Sequence, residues 1–262
     1  MSTLVSNEVK MPYAKIIKIY YLEAKSELLK TFRVPAFTLP SLVFPVMFYV
    51  FFGLIFNRDG LDGQMPAYML ATYGVFGVIG PALFSFGVGV AIEKDQGWLA
   101  LKQCSAMPIG AYFFAKIIAS LLFGLIIILE LFTLGALFGN VNMTSMEWGL
   151  TLISLLLGSL PFCALGLWLG LTVKGQAAPA IVNLIYLPMS IISGLWVPIS
   201  IFPDWMQSFA WALPTFHLAQ LTLAIQEFHL GYSVYIHAGV LLIMSIVFLL
   251  LATRAFKKQA IA

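Results

Sequence analysis

The 262 residues are 61% hydrophobic and only 10% charged, with a mean hydropathy of +0.97. Soluble domains carry about 25% charged residues, so this composition excludes a water-facing surface wrapped around one core. The formal charge of +3 is small, and its distribution along the chain says more than its size.

Residues 13–32 interleave Ile16, Ile17, Ile19, Tyr20, Leu28 and Leu29 with lysines and glutamates. The pattern reads as an amphipathic helix on the cytoplasmic interface, inside a leading segment 1–33 that precedes one membrane domain, 34–262. The other reading is a juxtamembrane basic segment that only sets topology. The first apolar run begins after Val34, too far along for a cleavable signal peptide.

Six stretches then reach the ~20 residues that a ~30 Å hydrocarbon core requires. They are 34–56, 66–91, 110–139, 148–173, 177–201 and 233–253. Pro40, Pro45, Pro81, Pro161 and Pro188 interrupt them, as membrane helices tolerate when neighbours satisfy the freed carbonyls. The expected fold is therefore all-α with six transmembrane helices.

Orientation follows from the basic residues. Lys10, Lys15, Lys18, Lys25, Lys30, Arg33, Lys94, Lys102, Lys116, Lys174, Arg254, Lys257 and Lys258 fall on one side of a six-span arrangement, thirteen of the fourteen. Arg58 alone falls opposite, beside Asp59 and Asp62. The positive-inside bias puts both termini in the cytoplasm, and the expected location is a bacterial-type inner membrane.

Between the second and third spans, residues 91–108 read as a short polar connection, with Trp98, Leu101 and Ser105 near one helical face and Lys94, Asp95 and Lys102 around it. Trp98 is either an anchor for a partner's pocket or a residue buried at the membrane interface. Within the third span, Glu130 is the one strong intramembrane charge; it is either a substrate or proton contact or a hydrogen-bonded packing residue. Residues 202–228 are too apolar for an ordinary loop and are broken by Pro203 and Pro214, which suggests a re-entrant helical hairpin on the outer side, between spans five and six. His217, His229 and His237 lie near that side with no spacing that suggests convergence on a metal, and Trp196, Trp205 and Trp211 read as an interfacial belt. Cys104 and Cys163 are not expected to form a disulfide.

Chemistry is sparse. There is no G-x-x-x-x-G-K-[ST] loop, no dinucleotide fingerprint, no H-E-x-x-H and no G-x-S-x-G. No basic, aromatic-rich face suggests nucleic acid. A secondary transporter or channel would want more intramembrane charges than Glu130 or matched broken helices, and an embedded enzyme would want converging catalytic groups. A membrane-embedded assembly factor is not excluded by residues alone.

Three segments together resemble the permease subunits of ATP-binding-cassette exporters of the type-2 permease family. In residues 28–53, Arg33, Pro35, Phe44, Pro45 and Gly53 match the approach to the first span. In residues 93–119, Glu93, Lys94, Asp95, Gly97, Leu99, Leu101 and Lys116 match the cytoplasmic segment. In residues 192–221, Ser193, Gly194, Pro198, Phe202, Pro203, Trp205 and Pro214 match the outer signature. The chain departs from the pattern at Ala106, at Leu213 and in having no basic residue after the outer segment before Arg254.

The resemblance implies a permease that exports an amphipathic, lipid-like or drug-like substrate. An ABC ATPase bound in trans would hold the ATP and magnesium, and a second copy or a homologous permease would complete the pathway in the lipid bilayer. It further implies that Glu93, Lys94, Asp95, Gly97, Trp98 and Leu101 couple to the ATPase, and that Pro198, Phe202, Pro203, Trp205 and Pro214 form an outer lid. Tyr73, Phe76, Glu130, Asn183 and Tyr186 would lie along the pathway. No cofactor, metal or catalytic residue is expected in the chain itself.

Overall fold

The computed structural model describes residues 12–33, 35–56, 63–104 and 107–259, and the regular elements among them are all helices. Lys10, Val34, Arg58, Asp59, Asp62, Ser105 and Ala106, which enter the expectations above, lie outside the described residues. The chain opens with α1 (Tyr13–Phe32), followed by α2 (Pro35–Phe48), which continues into a π-helical segment, Tyr49–Ile55. Helix α3 (Met65–Leu83) runs through a second π-helical segment, Phe84–Gly89, into α4 (Val90–Asp95). The short α5 (Trp98–Cys104) leads to α6 (Ile109–Phe138), and then come α7 (Ser145–Gly158) and α8 (Leu160–Thr172). The last part comprises α9 (Ala178–Ile192), a 3₁₀ turn Ile199–Ile201, α10 (Asp204–Ala210), α11 (Pro214–Ile225) and α12 (Val234–Gln259).

Among the described residues, five helical stretches are long and apolar enough to cross a membrane: Thr38–Ile55, Met65–Asp95, Ile109–Phe138, Ser145–Thr172 and Val234–Lys258. The expected fifth span, 177–201, is α-helical only over the 15 residues of α9, about 22 Å at 1.5 Å per residue. It stops because Gly194 takes φ 76° and turns the chain so tightly that a Cβ there would lie 2.7 Å from Ile199. The second stretch departs in the other direction. Its 31 residues extend about 46 Å, so Glu93, Lys94 and Asp95 form the last turn of a long helix rather than part of a connection.

Helix α3 is the axis of the molecule. All but three of its residues are buried, and α2, α6, α8 and α11 pack around it. Helix α12 lies against α8 and α11 and turns most of its apolar surface outward, as a helix solvated by lipid does. A close backbone approach uses Gly166 and Gly170, a small-x-x-x-small pair on α8 facing the Phe84–Gly89 π-helical segment. A Cβ at Gly170 would sit 2.4 Å from the Phe86 carbonyl oxygen, so this seam excludes any side chain. Between α7 and α8 the helix breaks at Ser159, because Pro161 has no N–H to continue the ladder. Helix α7 starts at a reciprocal cap in which Thr144 Oγ1 accepts from the Glu147 amide and Glu147 accepts from the Thr144 amide.

Helix α1 reverses the usual amphipathic arrangement. Its apolar side chains Ile17, Tyr21, Leu22 and Leu29 are exposed, whereas Ala24 and Glu27 are buried against the bundle. An outward apolar face is stable only where something apolar, such as acyl chains, covers it.

Candidate functional site

The polar residues of the second and third helical stretches meet at one end of the bundle. Helix α4 closes at Gly97, whose φ of 76° lets the chain reverse into α5. Lys94 Nζ donates to the carbonyls of Gly170, Leu171 and Val173, at 3.3, 3.3 and 2.6 Å, so it caps the carbonyl-rich C-terminus of α8. Asp95 Oδ2 accepts from the Gly175 amide at 2.6 Å. Lys94 and Asp95 thus clamp the elbow to the α8–α9 turn. Beyond the exposed Asp95 and Gln96, α5 presents an apolar pair outward: Trp98 and Leu101 are 54% and 64% exposed.

Behind α5 lies a buried ion-pair network. Lys116 on α6 is 1% exposed; it donates to Glu27 of α1 at 2.5 Å and to Glu93 of α4 at 3.4 Å. Lys30 of α1 pairs with the same Glu93, which also accepts from the Tyr112 hydroxyl. Lys102 of α5 pairs with Glu23 of α1 and lies over the Tyr112 ring, 4.7 Å from its centroid. Burial would raise the Glu27 carboxyl, but Lys116 and then Lys30 outweigh it and hold the group below its usual 4.5. The buried Lys116 and the half-exposed Lys30 together balance the two buried glutamates in charge, which is how such carboxylates survive away from water. Four elements, α1, α4, α5 and α6, are locked together by side chains at this one place.

Toward the middle of the bundle, Tyr73, Phe76 and Tyr186 are buried in one aromatic group with Phe48 and Trp196. Phe76 and Tyr186 stack at 4.9 Å, and the Tyr186 hydroxyl donates to the Phe76 carbonyl at 2.9 Å. The Tyr73 hydroxyl donates to the Trp196 carbonyl at 3.2 Å. A cavity of about 450 Å³ opens beside the group, lined by Phe44, Phe48, Phe76, Asn183, Tyr186 and Trp196. Tyr73 sits behind it, and exposed Asn183 sits at its edge with its amide donating to the Pro179 carbonyl. Glu130 is elsewhere. It lines a different groove, on the opposite side of α2, with Leu42, Val46 and Met47. The structure therefore separates it from the other four residues expected along one route.

At the far end, Pro198 opens the 3₁₀ turn, Pro203 precedes α10 and Pro214 opens α11, each where a missing N–H costs nothing. Phe202 packs onto the small cluster of Ile199, Ala210 and Phe216, while Trp205 is exposed. Ser193 and Thr215 share a hydroxyl hydrogen bond, and Thr215 Oγ1 also donates to the Met189 carbonyl at 3.2 Å, which pins α11 to the end of α9. Two expectations change here. His217 and His237 do converge, Nδ1 to Nδ1 at 2.8 Å, with His217 Nε2 facing the Trp211 carbonyl at 2.9 Å. That carbonyl requires an N–H on Nε2, so in its neutral form His217 accepts from His237 at Nδ1. Of the three tryptophans, only Trp205 is exposed in the manner of a belt; Trp196 and Trp211 pack inside, against Phe48 and against His237 and Tyr232. Among the described residues, no three His, Cys, Asp or Glu side chains gather as a metal site.

The sequence family described as ABC-2 type transporter matches residues 20–227, from within α1 to just past the end of α11. The chain belongs to the ABC-2 type transporter family. It is also 32% identical, over 193 residues, to a protein of Bacillus subtilis (strain 168) named "Putative transport permease YvfS"; the match covers 73% of this chain and 79% of that one. The protein is thus a multi-pass membrane permease of the ABC-transporter type.

Within this ABC-2 permease the ion-pair network was the part that sequence patterning overlooked. Glu23, Glu27 and Lys30 recur at four- and three-residue intervals, which places them on one face of α1. Tyr112 and Lys116 share a face of α6 in the same way. Two polar faces of that kind, in a chain with so few charges, are a signal for each other.

Proposed function

We propose that this permease is the transmembrane half of an exporter, carrying an amphipathic, lipid-like or drug-like substrate across a bacterial-type inner membrane. Six crossings with both termini in the cytoplasm are proposed, with α9 and the irregular stretch after it completing the fifth. The distribution of basic residues favours this orientation. Two copies, or this chain and a homologous permease, would pair about a two-fold axis above two ATPase subunits supplied in trans, which bind the ATP and magnesium.

The observation that carries the reading is the exposed Trp98–Leu101 surface on α5, set on a rigid support of ion pairs. An aromatic and a leucine on a braced turn suit a partner's pocket, because little order remains to be gained on docking. Glu93, Lys94 and Asp95 act in this scheme as the support that passes motion inward, and Gly97, Trp98 and Leu101 as the contact. ATP-driven closure of the partner would move α5, α4 and α1 as one body and shift the aromatic cavity beside Phe76 and Tyr186 between facings. Pro198, Phe202, Pro203, Trp205 and Pro214 would form the lid at the outer end.

The test is reconstitution. The permease co-purifies with a candidate ABC ATPase, and proteoliposomes holding both accumulate an amphipathic dye only with ATP. Transport that needs no ATPase, or ATPase coupling untouched by Trp98→Ala with Leu101→Ala, would overturn the mechanism.

A further inference from the structure

The groove that holds Glu130 is separate from the aromatic cavity and has its own chemistry. It is an open groove of about 650 Å³ between α2 and α6, a volume that suits a small organic molecule. Leu42, Val43, Val46 and Met47 form one wall, and Glu130 and Thr133 stand on the other. The Glu130 Oε2 atom is buried and has no hydrogen-bond partner among the described residues. The one hydroxyl nearby is already committed, since Thr133 Oγ1 donates to the Leu129 carbonyl at 2.7 Å. Lys116, on the same helix, is fourteen residues away, about 21 Å along the axis, and is engaged with Glu27 and Glu93.

An isolated carboxylate is expensive at membrane depth, and a positive charge is the partner that offsets it. Among the described residues, no three His, Cys, Asp or Glu side chains gather here as a metal site. The remaining walls reward hydrocarbon. We infer that the α2–α6 groove is a binding site for a lipophilic monocation, with Glu130 facing the cationic head and Leu42, Val46 and Met47 covering its apolar body. The inference takes the permease reading above as its setting and adds a second site apart from the aromatic cavity; it concerns binding to the permease alone, without nucleotide or ATPase. Its failure would therefore leave ATP-driven transport by another route intact, and failure of ATP-driven transport would leave the binding measurable.

The experiment measures tetraphenylphosphonium binding to the full-length permease in nanodiscs of zwitterionic lipid, by equilibrium dialysis. This probe has one fixed charge and no titratable group. Saturable binding is expected, displaced by dodecyltrimethylammonium and not by dodecanol. Glu130→Gln should weaken it at least tenfold, and Val46→Trp, which fills the groove and keeps the carboxylate, should do the same. The second variant decides the matter where the first does not fold. Unchanged affinity in either folded variant, or equal displacement by dodecanol, overturns the site. Arg58→Gln serves as a further control, expected to bind as the parent does. A rise in affinity in that variant would mean that Arg58 already holds Glu130 in the native chain, and would also overturn the proposal.

Discussion

Lys116 shows what one residue can hold. Its ammonium is enclosed by Glu27, Glu93 and the Tyr112 ring, at the junction of three helices distant in sequence. Replacing it with methionine keeps the length and leaves two buried glutamates with the half-exposed Lys30 as their paired cation. The expected cost is about 3–5 kcal/mol, the usual result of breaking one side of a buried pair. Protease protection of α1 in membranes should fall with it, and thermal unfolding in detergent should shift down. Acid offers a second check. Glu27 ionises below its ordinary 4.5, so the latch is complete above that pH and its contribution is lost as pH falls through the lowered value. Protection of α1 should accordingly hold at and above 4.5 and decline progressively as pH falls from there through the lowered value, while Glu27→Gln should be weakly protected throughout. These residues were hard to read in advance because each seems an ordinary member of a basic or acidic segment. Only the pairing of two helix faces, which depends on tertiary contact, reveals the buried set. Trp98 and Leu101 were easier, since apolar residues on a short polar connection stand out without knowledge of the fold.

At the scale of helices, hydropathy located the long elements well because lipid-facing runs need no periodicity. Ends and breaks followed different physics. Helix α4 runs on to Asp95 since Lys94 and Asp95 find partners on the α8–α9 turn, and polar residues so satisfied need not end a helix. Helix α9 stops early because Gly194 adopts a conformation only glycine takes easily. Gly194→Ala would combine that strain with contact on Ile199, and should loosen the Ser193–Thr215 link; hydrogen exchange at the start of α11 would report it. The α8 seam makes a sharper prediction. At Gly170 the obstructing atoms are backbone carbonyl oxygens of Phe86 and Gly87, which cannot rotate aside. Gly170→Leu should therefore cost at least the 1–3 kcal/mol typical of overpacking, about the same as losing a well-packed core contact. Reduced yield of folded permease, with Gly149→Leu as an unobstructed comparison, is the measurement.

At the scale of the whole molecule, the bundle has a fixed end and a layered end. The α1–α4–α5–α6 junction is held by ion pairs, whereas the far end relies on proline-started short helices and hydroxyl links. A push delivered to α5 should then move the first end as a unit. Trp98→Ala with Leu101→Ala is expected to lower ATP-driven transport about tenfold or more through lost docking, with membrane insertion and thermal stability close to those of the parent chain. The same junction bears on how the protein is made. Glu27 and Lys116 are separated by 89 residues, so at ribosomal rates of 5–20 residues per second α1 waits roughly 4–18 s for its partner to emerge. During that interval α1 has its apolar face to hold it at the bilayer surface and nothing to neutralise the other. The order of synthesis thus makes docking of the first helix a late event in biogenesis, set by the arrival of the third span at the membrane.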